Sequence, residues 1–254
     1  EAPHCVLNAP VTAARRVATQ RFELERVRRV AKQAQASVND VFLAVCGAAL
    51  RRHLTESGNL PAASLITGVP VSLRDSVSDA DAGNAVGFLW ASLATDIADP
   101  IERLRAIQDS MQASKAHLKS LPSQARAAYT MATMAPAIGV LASGMGPRFR
   151  PAMNLVISNV PGIRETMYWN GARLDGSYPA SIVMDGVAMN ITLSTYDQNV
   201  DFGIIACRRS MPQVQRIIDY MEDALAELEV AAGLATPPAD PGVKASKKPR
   251  SKAA

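Results

Sequence analysis

Hydrophobic positions in this chain switch between two periods, and the switches outline its elements. "RRVATQRFEL", 15–24, alternates apolar and polar side chains as a strand does. From Leu24 the spacing lengthens: Leu24, Val27 and the Val30-Ala31 pair fall on one side of a helix within 23–36. A second helix is predicted over 37–58, with Val41, Phe42, Val45, Ala48, Ala49 and His53 on one wide face. It is apolar nearly all round from Val41 to Leu50, the pattern of a central buried helix. "SLITGVPVSLR", 64–74, and "AVGFLWASLATD", 85–96, read as strands on either side of a polar loop. Asp99 as N-cap and Pro100 as first helical residue open a helix through Leu121, and a less regular helical stretch runs from Ser123 towards Ala142.

From Asn154 the pattern becomes strand-like in "NLVISNV", "MYWNGARLDGSYP", "VAMNITLSTY" and "VDFGIIAC", with Asp197, Gln198 and Asn199 expected to make a hairpin turn. Val214, Ile217, Ile218, Met221, Leu225 and Leu228 form one stripe of a closing helix that should cover a sheet. This order of elements predicts an α/β (α+β) fold, a mixed β-sheet covered by helices.

With 254 residues, 48% of them hydrophobic, the chain can bury a core for one large domain or two small ones. No apolar run of membrane-spanning length lacks a charge or a helix breaker, and "EAPHCVLNAP" has no signal-peptide pattern. A soluble or peripheral intracellular protein is the expectation. The net charge of +4 adds little, because five of the 27 Lys and Arg and only one of the 23 Asp and Glu follow Ala235. The body is therefore neutral, and the basic end, rich in Pro, Ala and Lys, reads as a disordered tail over 236–254. Contact with an anionic membrane is the alternative for it. No nucleic-acid partner is expected, since no stacking aromatics interleave with the basic residues.

Self-sufficient chemistry is hard to find. Cys5, Cys46 and Cys207 are odd in number and far apart, with neither disulfide nor zinc spacing. His4 is terminal, while His53 and His117 come late in helices, where a surface or helix-end role is expected. No metal cluster, phosphate loop or Gly-x-Ser-x-Gly elbow is visible, and Asp79 and Asp81 belong to a loop.

Three local features remain. In "SVND", Ser37 and Asp40 have the spacing of a capping box, which leaves Asn39 without a structural reason. In "NLVISNVPG", Ser158 and Asn159 precede Pro161-Gly162, which suit the centre of a type II turn; both a turn role and a site role stay open. Gly83-Asn84 is a weaker third, just before a strand.

Taken in order, "SVNDVFLAVCGAALRRHL", "GVPVSLRD", "GNAVG", "LATDIADPIERLRAI", "NLVISNVPGIRETMYWNGARL" and "MDGVAMNITLSTYDQNVDFGIIACR" resemble the C-terminal half of bacterial wax ester synthase/acyl-CoA:diacylglycerol acyltransferases. The resemblance spans Leu7 to Leu234, with Ile163 where the family often has Pro. It implies a CoA-dependent acyltransferase-like lobe. The family's His-His-x-x-x-Asp-Gly motif is absent, since neither Asp175-Gly176 nor Asp185-Gly186 has a His before it. The expectation is thus a C-terminal lobe over 16–235, preceded by an inter-lobe linker remnant over 1–15 and followed by the tail. The missing base would lie on an N-terminal lobe, the partner that the resemblance implies. Acyl-CoA would be co-substrate, with no other cofactor and no metal, and diacylglycerol or a fatty alcohol would be acceptor. Peripheral contact with the inner membrane or lipid bodies would follow from such substrates. The resemblance places Asn39, Asp40, Ser158, Asn159, Pro161, Gly162, Gly83 and Asn84 along the supporting wall of the cleft. A stand-alone lobe that binds lipid or a partner without catalysis is the rival reading, and another acceptor, such as a polyketide or glycolipid alcohol, a third.

Overall fold

The computed structural model describes residues 2–72, 86–143 and 150–235. Gly83, Asn84 and the basic tail lie outside these residues. The chain opens on a short 3-10 turn, Val6–Asn8, followed by β1 (Arg15–Glu23), α1 (Leu24–Gln33) and α2 (Val38–Glu56). Then come β2 (Ile66–Ser72), β3 (Val86–Ser92), α3 (Pro100–Ser120), α4 (Ser123–Ser143) and β4 (Leu155–Val160). The rest is β5 (Tyr168–Trp169), β6 (Ala172–Arg173), β7 (Met189–Tyr196), β8 (Asn199–Cys207) and α5 (Gln215–Ala231).

Six strands form one mixed sheet in the order β1-β8-β7-β4-β2-β3. β4 runs parallel to both β2 and β7, and the other pairs are antiparallel. The predicted mixed sheet under helices is therefore what forms. Two predicted strand regions come out differently. "MYWNGARLDGSYP" holds only a two-residue hairpin, because Asn170 and Gly171 take left-handed φ of 48° and 79° and reverse the chain at once. The β7–β8 turn is also tighter than predicted, with Asn199 already paired to Tyr196.

Side chains of a strand alternate between faces, so register assigns each residue to a side. Phe22, Ile191, Leu193, Phe202, Ile204, Leu155, Ile157 and Val69 all belong to one core cluster with residues of α1, α2, α3 and α5. Phe202 is its centre, meeting Phe22 and Phe42 edge-on at centroid distances of 5.5 and 5.4 Å. α2 is buried nearly all round, as its sequence predicts. It lies antiparallel to α5: Arg216 at the start of α5 pairs with Glu56 at the end of α2, and Arg52 pairs with Asp223. These exposed pairs contribute little stability but fix the relative direction.

The opposite face is polar and is crossed by the chain segment 174–186. Asp201, fully buried, accepts from Arg21 Nε at 2.7 Å and from the Ser177 N–H at 2.7 Å. Ser181 and Thr192 hydroxyls bond at 2.7 Å. Gly203 is required beneath this strap, since a Cβ there would collide with the Pro179 carbonyl. Tyr196 holds the small hairpin to the sheet: its hydroxyl accepts from Met167 N at 2.9 Å and donates to Leu174 O at 2.8 Å.

The first residues, expected as a linker, pack closely. Leu7 and Asn8 are buried, and Asn8 donates to the carbonyls of Met153 and Gly186, both at 2.9 Å. His53, for which a surface or helix-end role was expected, is buried 6.4 Å from the Tyr220 ring. Burial lowers its pKa below the usual imidazole value, a shift that Glu56 opposes and Arg216 reinforces. His117 stays exposed, edge-on to Tyr129.

Candidate functional site

The start of α2 is built as its four residues predict. Ser37 Oγ accepts from Asp40 N at 3.1 Å, while Asp40 Oδ2 accepts from Ser37 N at 3.0 Å and from its hydroxyl at 2.6 Å. The capping box accounts for one carboxylate oxygen only. Asp40 is 7% exposed, and its Oδ1 is buried without a hydrogen-bond partner. An unpaired buried carboxylate oxygen is costly, and such groups concentrate where a missing partner belongs. Asn39 is half-buried, and among the described residues its amide makes no hydrogen bond. One donor and acceptor group, preset on a rigid helix start, is thus available to a ligand.

The β4 end lies at the same end of the sheet. Asn159 pairs with Leu193, and Leu193 pairs with Phe202, on which Phe42 packs. Asn159 therefore stands on the helix-covered face, two strand spacings or about 10 Å from Phe202 along one row. From Phe42, α2 runs on to Gly47 against the Leu93 carbonyl and Arg51 on Thr95 O, past the Ser92 end of β3, so Asn39, about one turn before Phe42, lies toward the Asn159 end of the same face. Ser158 parts from them. It pairs with Thr192 and points to the strap side, because neighbouring strand residues face opposite ways. The expectation that Ser158 and Asn159 face the same cleft is corrected on this point.

Pro161-Gly162 makes no type II turn. Residues 161–164 carry on without a turn, and Gly162 does not take the left-handed φ that such a turn needs at its third residue. Its glycine is explained by close approach instead: a Cβ would collide with the Thr195 carbonyl oxygen, and its N–H donates to Thr195 Oγ1 at 3.2 Å. Gly162→Ala should lower unfolding stability by about 2 kcal/mol, as overpacking does. Urea denaturation measures it, and an unchanged midpoint would show that the 161–164 segment yields freely.

Sequence reasoning missed Asn154, the first residue of the same stretch. It is fully buried; its Oδ1 accepts from Ile66 N at 2.8 Å, and its Nδ2 donates to Pro3 O at 2.6 Å and to Asn8 Oδ1 at 2.8 Å. Asn154 clamps β2, β4 and the first residues together, and its only signal in sequence is a polar residue opening an apolar strand.

Among the described residues no three His, Cys, Asp or Glu side chains gather to hold a metal ion. Cys46 is sealed in the core, where burial pushes its thiol up to about 12. At Cys207 burial also raises the thiol pKa, but N–H donors from Thr12, Ser210 and Arg209 outweigh it and bring the value down to about 6. The carboxylate next to Asn39 is that of Asp40, whose Oδ2 is engaged by the Ser37 N–H and hydroxyl.

The six-stranded mixed sheet covered by helices is one lobe of the CoA-dependent, condensation-domain-like acyltransferase fold. A wax ester synthase/diacylglycerol acyltransferase from Marinobacter aquaeolei VT8 has a similar structure, with TM-score 0.82 and 42% identity, over 92% of this chain and 53% of that one. The family model of the WS/DGAT C-terminal domain matches residues 82–229, that of the wax ester synthase/diacylglycerol acyltransferase catalytic domain matches residues 1–42, and the chain belongs to this family. O-acyltransferase WSD of Acinetobacter baylyi is 44% identical over 89% of this chain and 48% of its own length. A structure of a condensation domain from the enacyloxin polyketide synthase, 15% identical with TM-score 0.54, shares the fold. The chain spans about half the length of the curated relatives it matches. No helix among the described residues is long and apolar enough to cross a membrane.

Proposed function

We propose that this lobe is half of an O-acyltransferase that moves a long-chain acyl group from acyl-CoA to diacylglycerol or a fatty alcohol. The observation that carries it is the α2 start: a free Asn39 amide beside the buried, half-satisfied Asp40, in a segment that the catalytic-domain model reaches. In such a reaction the acceptor hydroxyl attacks the thioester carbonyl. A C–O bond forms, the C–S bond breaks, and the hydroxyl proton passes through a base to the leaving CoA thiolate. The base would be the His of an N-terminal partner lobe, a group whose pKa near neutrality suits both transfers. Asn39 then hydrogen-bonds substrate or orients that base, Asp40 holds the helix start, and Asn159 closes the same end. Gly83 and Asn84 remain proposed members of this wall. Products of this kind are water-insoluble, so peripheral contact with a membrane or lipid body belongs to the proposal.

The test is to supply palmitoyl-CoA with diacylglycerol or hexadecanol to this chain alone and to a protein joining it to a lobe with His-His-x-x-x-Asp-Gly. Ester should form only with the joined protein. Ester from this chain alone would overturn the division of labour, and its absence from both would overturn the reading.

A further inference from the structure

A second feature at the same end of the sheet is a cavity of about 490 Å³ between β2, β3 and the α3–α4 corner. Val71, Leu89 and Leu118 line its floor, and Lys115, Lys119 and Arg126 its rim. The corner is held in place: Ser114 Oγ donates to Trp90 O, Ser110 Oγ accepts from Ser92 N at 2.9 Å, and Arg126 Nε donates to Leu121 O at 3.2 Å. Lys115 and Lys119 are one turn apart on α3, so their ammonium groups share a side. Both are exposed, and neither is paired with a carboxylate among the described residues. The surrounding sequence carries the same sign. Between Asp109 and Glu165 there is no acidic residue, while Lys115, Lys119, Arg126, Arg148, Arg150 and Arg164 are basic. Two free cations and a third nearby, over an apolar floor, match a ligand with several phosphates on one end and an apolar body on the other.

Position narrows the ligand. β2 runs beside β4, and from the Thr67–Leu155 pairing Val71 comes level with Asn159 on the same face. The cavity therefore opens one strand from Asn159. It lies three strand spacings, about 14 Å, from the Phe202 row under the α2 start. A ligand anchored here by phosphates needs an extended arm to bring its reacting atom to Asn39, and the pantetheine arm of CoA is such a link.

We infer that the Lys115–Lys119–Arg126 cavity binds the phosphate-bearing nucleotide end of acyl-CoA. This rests on reading the α2 start as an acyl-CoA site, and its test is a binding measurement that needs no turnover. Calorimetric titration of the 254-residue chain with CoA and with pantetheine, which lacks the phosphates, is compared with K115E/K119E. CoA should bind the parent, weaken as salt rises, and bind the variant at least tenfold more weakly at an unchanged Tm; pantetheine should not distinguish the two proteins. Should the double substitution lower Tm, K115Q/K119Q, which only removes charge, takes its place with the same expectation. Equal CoA affinity in parent and variant would overturn the inference. So would a variant that loses only its binding to phosphatidylglycerol vesicles, which would assign the lysines to a lipid surface. Acyl transfer by the joined protein, with an unaltered KM for acyl-CoA in the double variant, would sink the cavity while leaving the proposed function standing.

Discussion

Asn39→Ala is expected to cut acyl transfer by the joined protein about 100-fold, the scale seen when one preset hydrogen-bond donor is removed from a reacting centre. The helix itself should not suffer. The capping contacts run between Ser37 and Asp40 and bypass Asn39, whose amide has no hydrogen-bond partner among the described residues. Alanine is also the better helix former, by up to about 0.7 kcal/mol, so the thermal midpoint should stay or rise slightly. Asp40→Ala provides the contrast. Loss of its cap should cost about 1 kcal/mol, so activity and stability fall together. Initial rates at saturating acyl-CoA, read beside calorimetric midpoints, separate the two residues. A turnover by Asn39→Ala equal to that of the parent removes Asn39 from the site.

The largest expected stability loss lies on the other face of the sheet. Asp201→Ala removes the acceptor of Arg21 Nε and of the Ser177 N–H at a fully buried carboxylate, and leaves the guanidinium its contacts with Asp175. Breaking a buried ion pair from one side costs about 3–5 kcal/mol, and Arg21, whose side chain is 24% exposed, places this pair toward the lower figure. The damage should be local as well as global, because Asp201 is where segment 174–186 is tied to the sheet. Amide exchange at Ser177 should speed up more than at Ile191 in the core. Asp201→Asn, which keeps one acceptor oxygen, should lose less. If Asp201→Ala unfolds within 1 kcal/mol of the parent, the strap is held by the Gly203–Pro179 approach and the Ser181–Thr192 bond instead.

Short-range physics was legible in the sequence wherever it acts within a few residues. The helix stripes of α1, α2 and α5, the Asp99–Pro100 helix start and the Ser37–Asp40 box all depend on spacings of three or four residues, and all appear as read. The Asn170-Gly171 reversal was equally local, and its signal lay unread inside a predicted strand. The stretch from Asn154 to Gly162 shows where local reading stops. Its strand was evident, but the buried clamp at Asn154 depends on Pro3, Asn8 and Ile66, which no spacing links to it. Gly162 fitted a turn by residue type, yet its reason is the Thr195 carbonyl on another strand.

By itself, then, the sequence determined the element types, the capped helix start, the mixed order of strands and helices, and the family, because periodicity, capping and ordered motifs are carried by the chain alone. Tertiary structure decided which side of the sheet each residue serves. A strand's period of two separates Ser158 from Asn159 but does not say which of them the helices cover. Only the pairing of β4 with β7, and of β7 with β8 beneath Phe42, sends Asn159 to the end that holds Asn39 and turns Ser158 toward the strap.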